Sequence, residues 1–291
     1  MRPVVVLASR SRTSYLLINH LAARFDVAAV VFEKKHRGRF LRHRLRRLGP
    51  LRVAAQLAFV LYDRLVIAPR SRATVERLLA GHDVRPPDGR LRVLDVASVN
   101  GPEVTDLLLG ERPSAVVVSG TGIIAGRVLG LAPAFINIHT GITPRYRGVH
   151  GGFWAVCEGR ADLAGTTVHL VDPGVDTGGI LFQETVSVDP FEDTYRTLPV
   201  KQYLAALDAM AEAVRQVTSG RARPYRRSDL GSEQWYTPTL RDHLRFRRAM
   251  RTLRGRSGDR STPEAAPVAQ GDPRAPARNP GPRGRAPYAR S

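Results

Sequence analysis

Three side chains suited to carbonyl chemistry lie in two short stretches of the chain. The first stretch, Phe135 to Gly148, reads FINIHTGITPRYRG. It begins as an apolar strand, and side chains alternate faces along a strand. Asn137 and His139 therefore leave one face, and Ile136 and Ile138 the other. An amide and an imidazole at a strand end, with a Gly/Pro loop behind them, form a compact polar pair. Such a pair can donate hydrogen bonds to an oxygen that gains negative charge during a reaction. The second stretch, Thr166 to Leu181, reads TTVHLVDPGVDTGGIL. An alternating strand ends near Val171 and gives way to a loop carrying two acids, Asp172 and Asp176. Gly174, Gly178 and Gly179 let that loop bend tightly or approach a ligand. His169 stands two residues after Thr167 and either faces the same site or sits in the core.

The elements that position these residues follow an alternating pattern. Pro3 to Ala8 reads as a buried strand, followed by a helix from Ser14 to Arg24 that Ser11 or Thr13 can cap. Val27 to Phe32 is a second buried strand, which completes a right-handed βαβ unit. The helix N-terminus after Ser9 favours an anion, and Arg10 and Arg12 stand beside it as candidates for holding one. No glycine fingerprint of the dinucleotide type follows the first strand, so a nicotinamide cofactor is not indicated. Further strands are expected over Leu91 to Val96, Ala115 to Ser119, Phe135 to His139, Thr166 to Val171 and Ile180 to Val188. Helices are expected from 103 to 110, from Phe153 to Gly159 and from about Pro199 to Gly220. The strand ending at Ser119 runs into Ser119-Gly120-Thr121-Gly122, at the carboxyl edge where open α/β sheets receive ligands.

The two motifs together resemble the formyltransferases that use 10-formyltetrahydrofolate. That family has an N-x-H segment, then P-x-Y/W-R-G, then V/L-D-x-G ending in I/M-L. Here they stand as Asn137-Ile138-His139, Pro144-Arg145-Tyr146-Arg147-Gly148, and Val175-Asp176-Thr177-Gly178 with Ile180-Leu181. The resemblance covers residues 1–215 in layout and is strongest over 115–185. It implies an α/β, Rossmann-like fold: a mostly parallel twisted sheet with helices on both faces. It also implies that a formyl group passes from the folate to a primary amine of a small acceptor.

On that reading an amine attacks the formyl carbon and a tetrahedral oxyanion forms. Asn137 and His139 are its expected hydrogen-bond donors, each worth about 3–4 kcal/mol. Asp176 is the expected proton carrier, directly or through a water. Ser119, Gly120, Thr121 and Gly122 are expected to hold the folate, largely through backbone groups. Asp172 is expected to cap Gly174, and both belong to the second cofactor-side loop. Arg10, Arg12, Arg147 and His150 are the candidates on the acceptor side. Arg147 either grips a phosphate or carboxylate or braces the loop, and His150 is placed to shape the choice of acceptor.

Composition bounds the alternatives. The chain has 291 residues, 43% of them hydrophobic, a single cysteine and a formal net charge of +19. One cysteine excludes an internal disulfide and a cysteine-rich zinc site, and no metal is expected. No run approaches the roughly 20 apolar residues of a bilayer span, and the N-terminal stretch reads as a strand, so a cytoplasmic location is expected. The catalytic unit is placed at 1–220, with a helical insertion over about 34–80. Within that insertion a basic amphipathic helix is expected from Glu33 to Gly49. It either contacts a lipid surface or a phosphorylated substrate, or lies solvated over the domain. A small extension follows at 221–254, then a basic Pro/Gly/Arg-rich tail at 255–291 that is expected to be disordered.

The expected partner is a small amine acceptor, possibly phosphate-bearing, with an amino sugar nucleotide preferred. Methionyl-tRNA formylation ranks second, because residues 221–291 leave little room for the β-barrel domain of those enzymes. A basic, non-catalytic nucleic-acid-binding protein is the rival of another class, but nucleic acid is not the expected partner. A homodimer is compatible with the sequence.

Overall fold

The computed structural model describes residues 3–34, 45, 46, 48–87 and 89–258. The basic amphipathic helix expected over Glu33 to Gly49 lies mostly outside the described residues, as does the tail beyond Gly258. The chain opens with β1 (Val4–Ala8), α1 (Arg12–Ala22) and β2 (Val27–Glu33). Ser11, in extended conformation, caps α1 by accepting from the Ser14 N–H, so the helix starts two residues earlier than its apolar spacing suggests. Then come α2 (Pro50–Tyr62) and α3 (Ala68–Leu79), joined without a break by a π-helical turn over Asp63–Ile67.

The middle of the chain alternates as expected: β3 (Val93–Val96), α4 (Pro102–Glu111), β4 (Ala115–Ser119), a short α5 (Gly126–Leu129) and β5 (Phe135–His139). A two-residue strand β6 (Arg147–Gly148), α6 (Gly151–Cys157), β7 (Gly165–Leu170), β8 (Ile180–Thr185) and α7 (Thr197–Thr218) follow. The last elements are β9 (Gln234–Trp235) and α8 (Leu240–Gly258).

Seven strands form one sheet in the order β3-β2-β1-β4-β5-β7-β8. The first five are parallel, β7 pairs antiparallel with β5, and β8 pairs antiparallel with β7. The central parallel strands β1 and β4 are buried along their whole length, apolar but for Ser119, because helices cover both of their faces. Val4, Val6 and Ala8 face the layer of α1 and α7, whereas Val5 and Leu7 face the layer of α4. The antiparallel step at β5–β7 sets Asn137 opposite His169 and His139 opposite Thr167. Side chains opposite one another on such a pair project from the same face.

A third core carries the C-terminal residues. Phe59 of α2, Tyr146, Phe153 and Trp154 of α6, Tyr195 and Phe246 of α8 are all buried in it. Phe153 stacks on Phe246 with centroids 4.8 Å apart, and Trp154 on Trp235 at 4.6 Å. The segment expected as an extension at 221–254 thus shares a core with the catalytic unit and with the inserted helices. Residues 255–258, expected to open the tail, belong to α8. β6 and β9 pair in parallel as a second, two-stranded sheet, which ties the Arg147–Gly148 loop to Trp235.

Candidate active site

Asp176 sits at the centre of a polar cluster at the end of β5. Its Oδ2 accepts the Gly148 N–H at 2.8 Å and lies 3.5 Å from His139 Nδ1. Its Oδ1 lies 3.4 Å from Asn137 Nδ2 and 3.5 Å from His169 Nε2. The Asn-x-His spacing on β5 places the first two partners on one face. The β6 loop and β7 supply the others. Burial alone would raise the Asp176 carboxyl. The neighbouring His139, the His169 hydrogen bond and the Gly148 N–H outweigh it and hold the group well below the usual carboxylate range. At neutral pH Asp176 is therefore an ionised acceptor, bonded by the Gly148 N–H and the Asn137 amide and faced by both imidazoles.

Both histidines are oriented by main-chain carbonyls, which can only accept. His139 Nε2 lies 2.6 Å from the Tyr146 oxygen and so carries a proton, leaving Nδ1 toward Asp176. His169 Nδ1 lies 2.7 Å from the Leu170 oxygen and so carries a proton, and its Nε2 faces Asn137 Nδ2 at 3.1 Å and Asp176 Oδ1 at 3.5 Å. Both ring nitrogens of His139 face protein oxygens, Nε2 the Tyr146 carbonyl and Nδ1 the Asp176 carboxylate. The Asn137 amide nitrogen is held at 3.1 Å by His169 and only at 3.4 Å by Asp176. His169, left open between site and core, belongs to the cluster. Its position two residues beyond Thr167 was the available signal, but only the antiparallel register places it.

The loops around this cluster are held by specific bonds. Asp176 has φ +52°, in the left-handed region that Asp tolerates better than most residues. Arg147 donates from its guanidinium to the Val175 oxygen at 3.0 Å and to Ser232 Oγ at 3.0 Å, so it braces the Asp176 loop. Asp172 accepts the Gly174 N–H at 3.0 Å and the Thr177 hydroxyl at 2.6 Å, which fixes the turn from inside. His150 enters α6 at φ +59°, and its Nε2 is 2.7 Å from the Tyr195 hydroxyl.

The remaining candidates are placed unevenly. Ser119 is fully buried, and its hydroxyl bonds with Ser14 and Tyr203, so that side chain belongs to the interior. Gly120, at φ +72°, and Thr121 form the open turn. The Gly122 N–H donates to Glu33 Oε2 at 2.6 Å and its oxygen accepts from Thr121, so both of its backbone groups are engaged. Ile123 beside them is an exposed apolar side chain that the sequence reading did not single out. Arg10 grips Asp95 through two bonds of 3.0 and 2.7 Å, and Arg12 grips Glu76 at 2.6 and 2.8 Å. Both guanidiniums are therefore neutralised by carboxylates, which the expected anion-holding role did not include. Among the described residues, no three His, Cys, Asp or Glu side chains are grouped to hold a metal ion.

The family model for formyl transferase matches residues 23–214. The chain belongs to the formyl transferase family. A methionyl-tRNA formyltransferase of Anaeromyxobacter dehalogenans (strain 2CP-C) is 36% identical over 211 residues, covering 65% of each chain. The chain thus spans about 65% of the length of that curated relative. Among solved structures it resembles a 4-N formyltransferase from Francisella tularensis, with a TM-score of 0.53, 14% identity and coverage of 85% and 88% of the two chains. It also resembles glycinamide ribonucleotide transformylase 1 from Symbiobacterium toebii, with a TM-score of 0.51, 22% identity and coverage of 78% and 95%. At such identities the structural likeness establishes the fold. No helix among the described residues is long and apolar enough to cross a membrane.

Proposed function

We propose that the protein transfers a formyl group from 10-formyltetrahydrofolate to a primary amine of a small acceptor, an amino sugar nucleotide in the first instance. The observation that carries this reading is the ionised Asp176 held between Asn137, His139, His169 and the Gly148 N–H. The donor supplies an activated one-carbon unit. Support for a flat heteroaromatic donor comes from the turn at Gly120–Thr121 and the apolar, exposed Ile123 beside it.

The side chains divide the work as follows. An amine attacking the formyl carbon leaves negative charge on the formyl oxygen, and Asn137 Nδ2 donates to that oxygen. Its contact with Asp176 is 3.4 Å, at the weak end for a hydrogen bond, so little is lost on exchange. The attacking nitrogen becomes positive and gives its proton toward Asp176, through a water. A carboxylate held so far below its ordinary range passes the proton on, through the same water, to the folate nitrogen. As that nitrogen is protonated the intermediate collapses, its bond to the one-carbon unit breaks, and tetrahydrofolate leaves, with the formyl group now on the amine. His139 and His169 fix the carboxylate in place.

Methionyl-tRNA is the second reading, and the identity with curated methionyl-tRNA formyltransferases favours it. The test is an acceptor screen by mass spectrometry. The protein and 10-formyltetrahydrofolate are incubated with a panel of amino sugar nucleotides and, separately, with methionyl-tRNA. Gain of one formyl group on a sugar nucleotide supports the first reading, and on methionyl-tRNA the second. Transfer to neither, with the folate unchanged, contradicts both.

A further inference from the structure

Among the described residues, nothing covers one apolar face of helix α2 and its continuation. Val53, Gln56, Phe59, Asp63 and Ile67 point into the fold. On the outer side Leu51, Ala54, Ala58, Leu61 and Leu65 recur at intervals of three and four residues, which keeps them on one stripe. With Leu57 at its flank, the four leucines are 53–86% exposed. A helix lying on a soluble domain ordinarily carries charge along that side, and contiguous exposed apolar surface marks contact with something else.

Exposed positive charge accompanies the stripe. Arg52 and Arg64 stand exposed on the same helix, and Arg72 follows on α3. α8 is anchored beside α2: Gln56 Nε2 donates to the Thr237 oxygen at 2.9 Å, and the His243 ring lies 5.4 Å from Tyr62. Next to His243, α8 exposes Leu240 and Leu244 among its arginines, and its one acid is Asp242. The acids of this region are occupied within the fold. Asp63 is taken by Arg196, Glu76 by Arg12, and Asp242 by the Thr239 N–H and hydroxyl.

We infer that this face docks on an anionic phospholipid surface. The leucines enter the boundary between headgroups and acyl chains, and the arginines lie against headgroup phosphates. Charge decides between occupants. A second copy seated on the stripe would oppose its arginines to those of the first. A nucleic acid would satisfy the arginines but offer nothing to the leucines.

Flotation of the full chain with vesicles tests the inference. One set is phosphatidylcholine containing about one-third phosphatidylglycerol, and the other is phosphatidylcholine alone. The protein is expected to float with the anionic vesicles and to stay in solution with the neutral ones. The variant Leu57→Gln/Leu61→Gln/Leu65→Gln is expected to partition about tenfold less, with an unchanged melting temperature. Leu61→Gln alone gives the same reading, with a smaller loss, if the triple variant melts early. Arg64→Gln/Arg72→Gln is expected to weaken flotation in low salt. Flotation of the leucine variants equal to that of the parent overturns the inference, because binding would then rest on charge alone. A dimer in sedimentation that the same variants dissolve, or displacement from the vesicles by polyuridylate, overturns it as well.

Discussion

The Gly148 N–H donates to Asp176 Oδ2 at 2.8 Å, joining the loop after β5 to the loop after β7. Gly148 has φ +97°, and a Cβ there would collide with the carbonyl of Trp235. Only glycine lets this backbone run close to β9 and still aim its N–H at the carboxylate. Gly148→Ala is therefore expected to part β6 from β9 and misplace the donor. A strained backbone of this kind corresponds to about 1–3 kcal/mol. Thermal melting of the variant is expected to fall accordingly, with formyl transfer reduced further than stability alone explains. A variant that melts and turns over like the parent would remove Gly148 from this role.

Asp176 also makes a pH prediction. Its folded carboxyl titrates below the ordinary Asp range, so the unfolded chain binds its proton more readily than the folded one. The contribution to stability is thus complete above the ordinary Asp value, about 4, and is lost as pH falls toward the depressed folded value. Denaturant midpoints of the parent and of Asp176→Asn, measured from neutral pH downward, are expected to converge as the pH falls below about 4. A difference that widens toward acid would reverse the sign of the argument.

The C-terminal helix is expected to be indispensable to the fold. Phe246 is buried in α8 and stacks on Phe153, in the core that also holds Phe59 and Tyr195. Phe246→Ala is expected to destabilise the protein by about 3–5 kcal/mol, read from chemical denaturation. A change below about 1 kcal/mol would show that α8 is only loosely attached.

Cys157 is expected to be inert. Burial pushes its thiol up to about 12, and its hydrogen points to the Asp242 carbonyl oxygen, 3.7 Å from the sulfur. Alkylation by iodoacetamide at neutral pH is expected to be far slower in the folded protein than in the unfolded chain. Equal rates would mean that the end of α6 opens readily.

Several of these relationships could be read before any coordinates. Asn137 and His139 share a face because a strand has period two, and the glycines around Asp176 announced a tight loop. The strands of the parallel core were legible because burial on both faces leaves uninterrupted apolar runs. His169 remained ambiguous because its placement depends on strand direction: β7 runs antiparallel to β5, and no local pattern encodes that. The Tyr146 carbonyl that occupies His139 Nε2 is a backbone group positioned by a loop, so residue identity carries no trace of it. The partners of Arg10 and Arg12, Asp95 and Glu76, lie 85 and 64 residues away, beyond any spacing rule. β6 and β9 are two residues each, too short for any periodicity to register.

The most direct measurement is turnover of the Asp176→Asn variant. Tetrahydrofolate release from 10-formyltetrahydrofolate is followed for parent and variant, with amino sugar nucleotides and methionyl-tRNA as acceptors. Asn tolerates the left-handed backbone at this position and keeps the side-chain shape, so the variant is expected to fold. Removing the ionised acceptor is expected to lower transfer by about 10²–10⁴ with every acceptor the parent uses. Turnover by the variant at the parent's rate would contradict the assignment of this cluster as the formyl-transfer site.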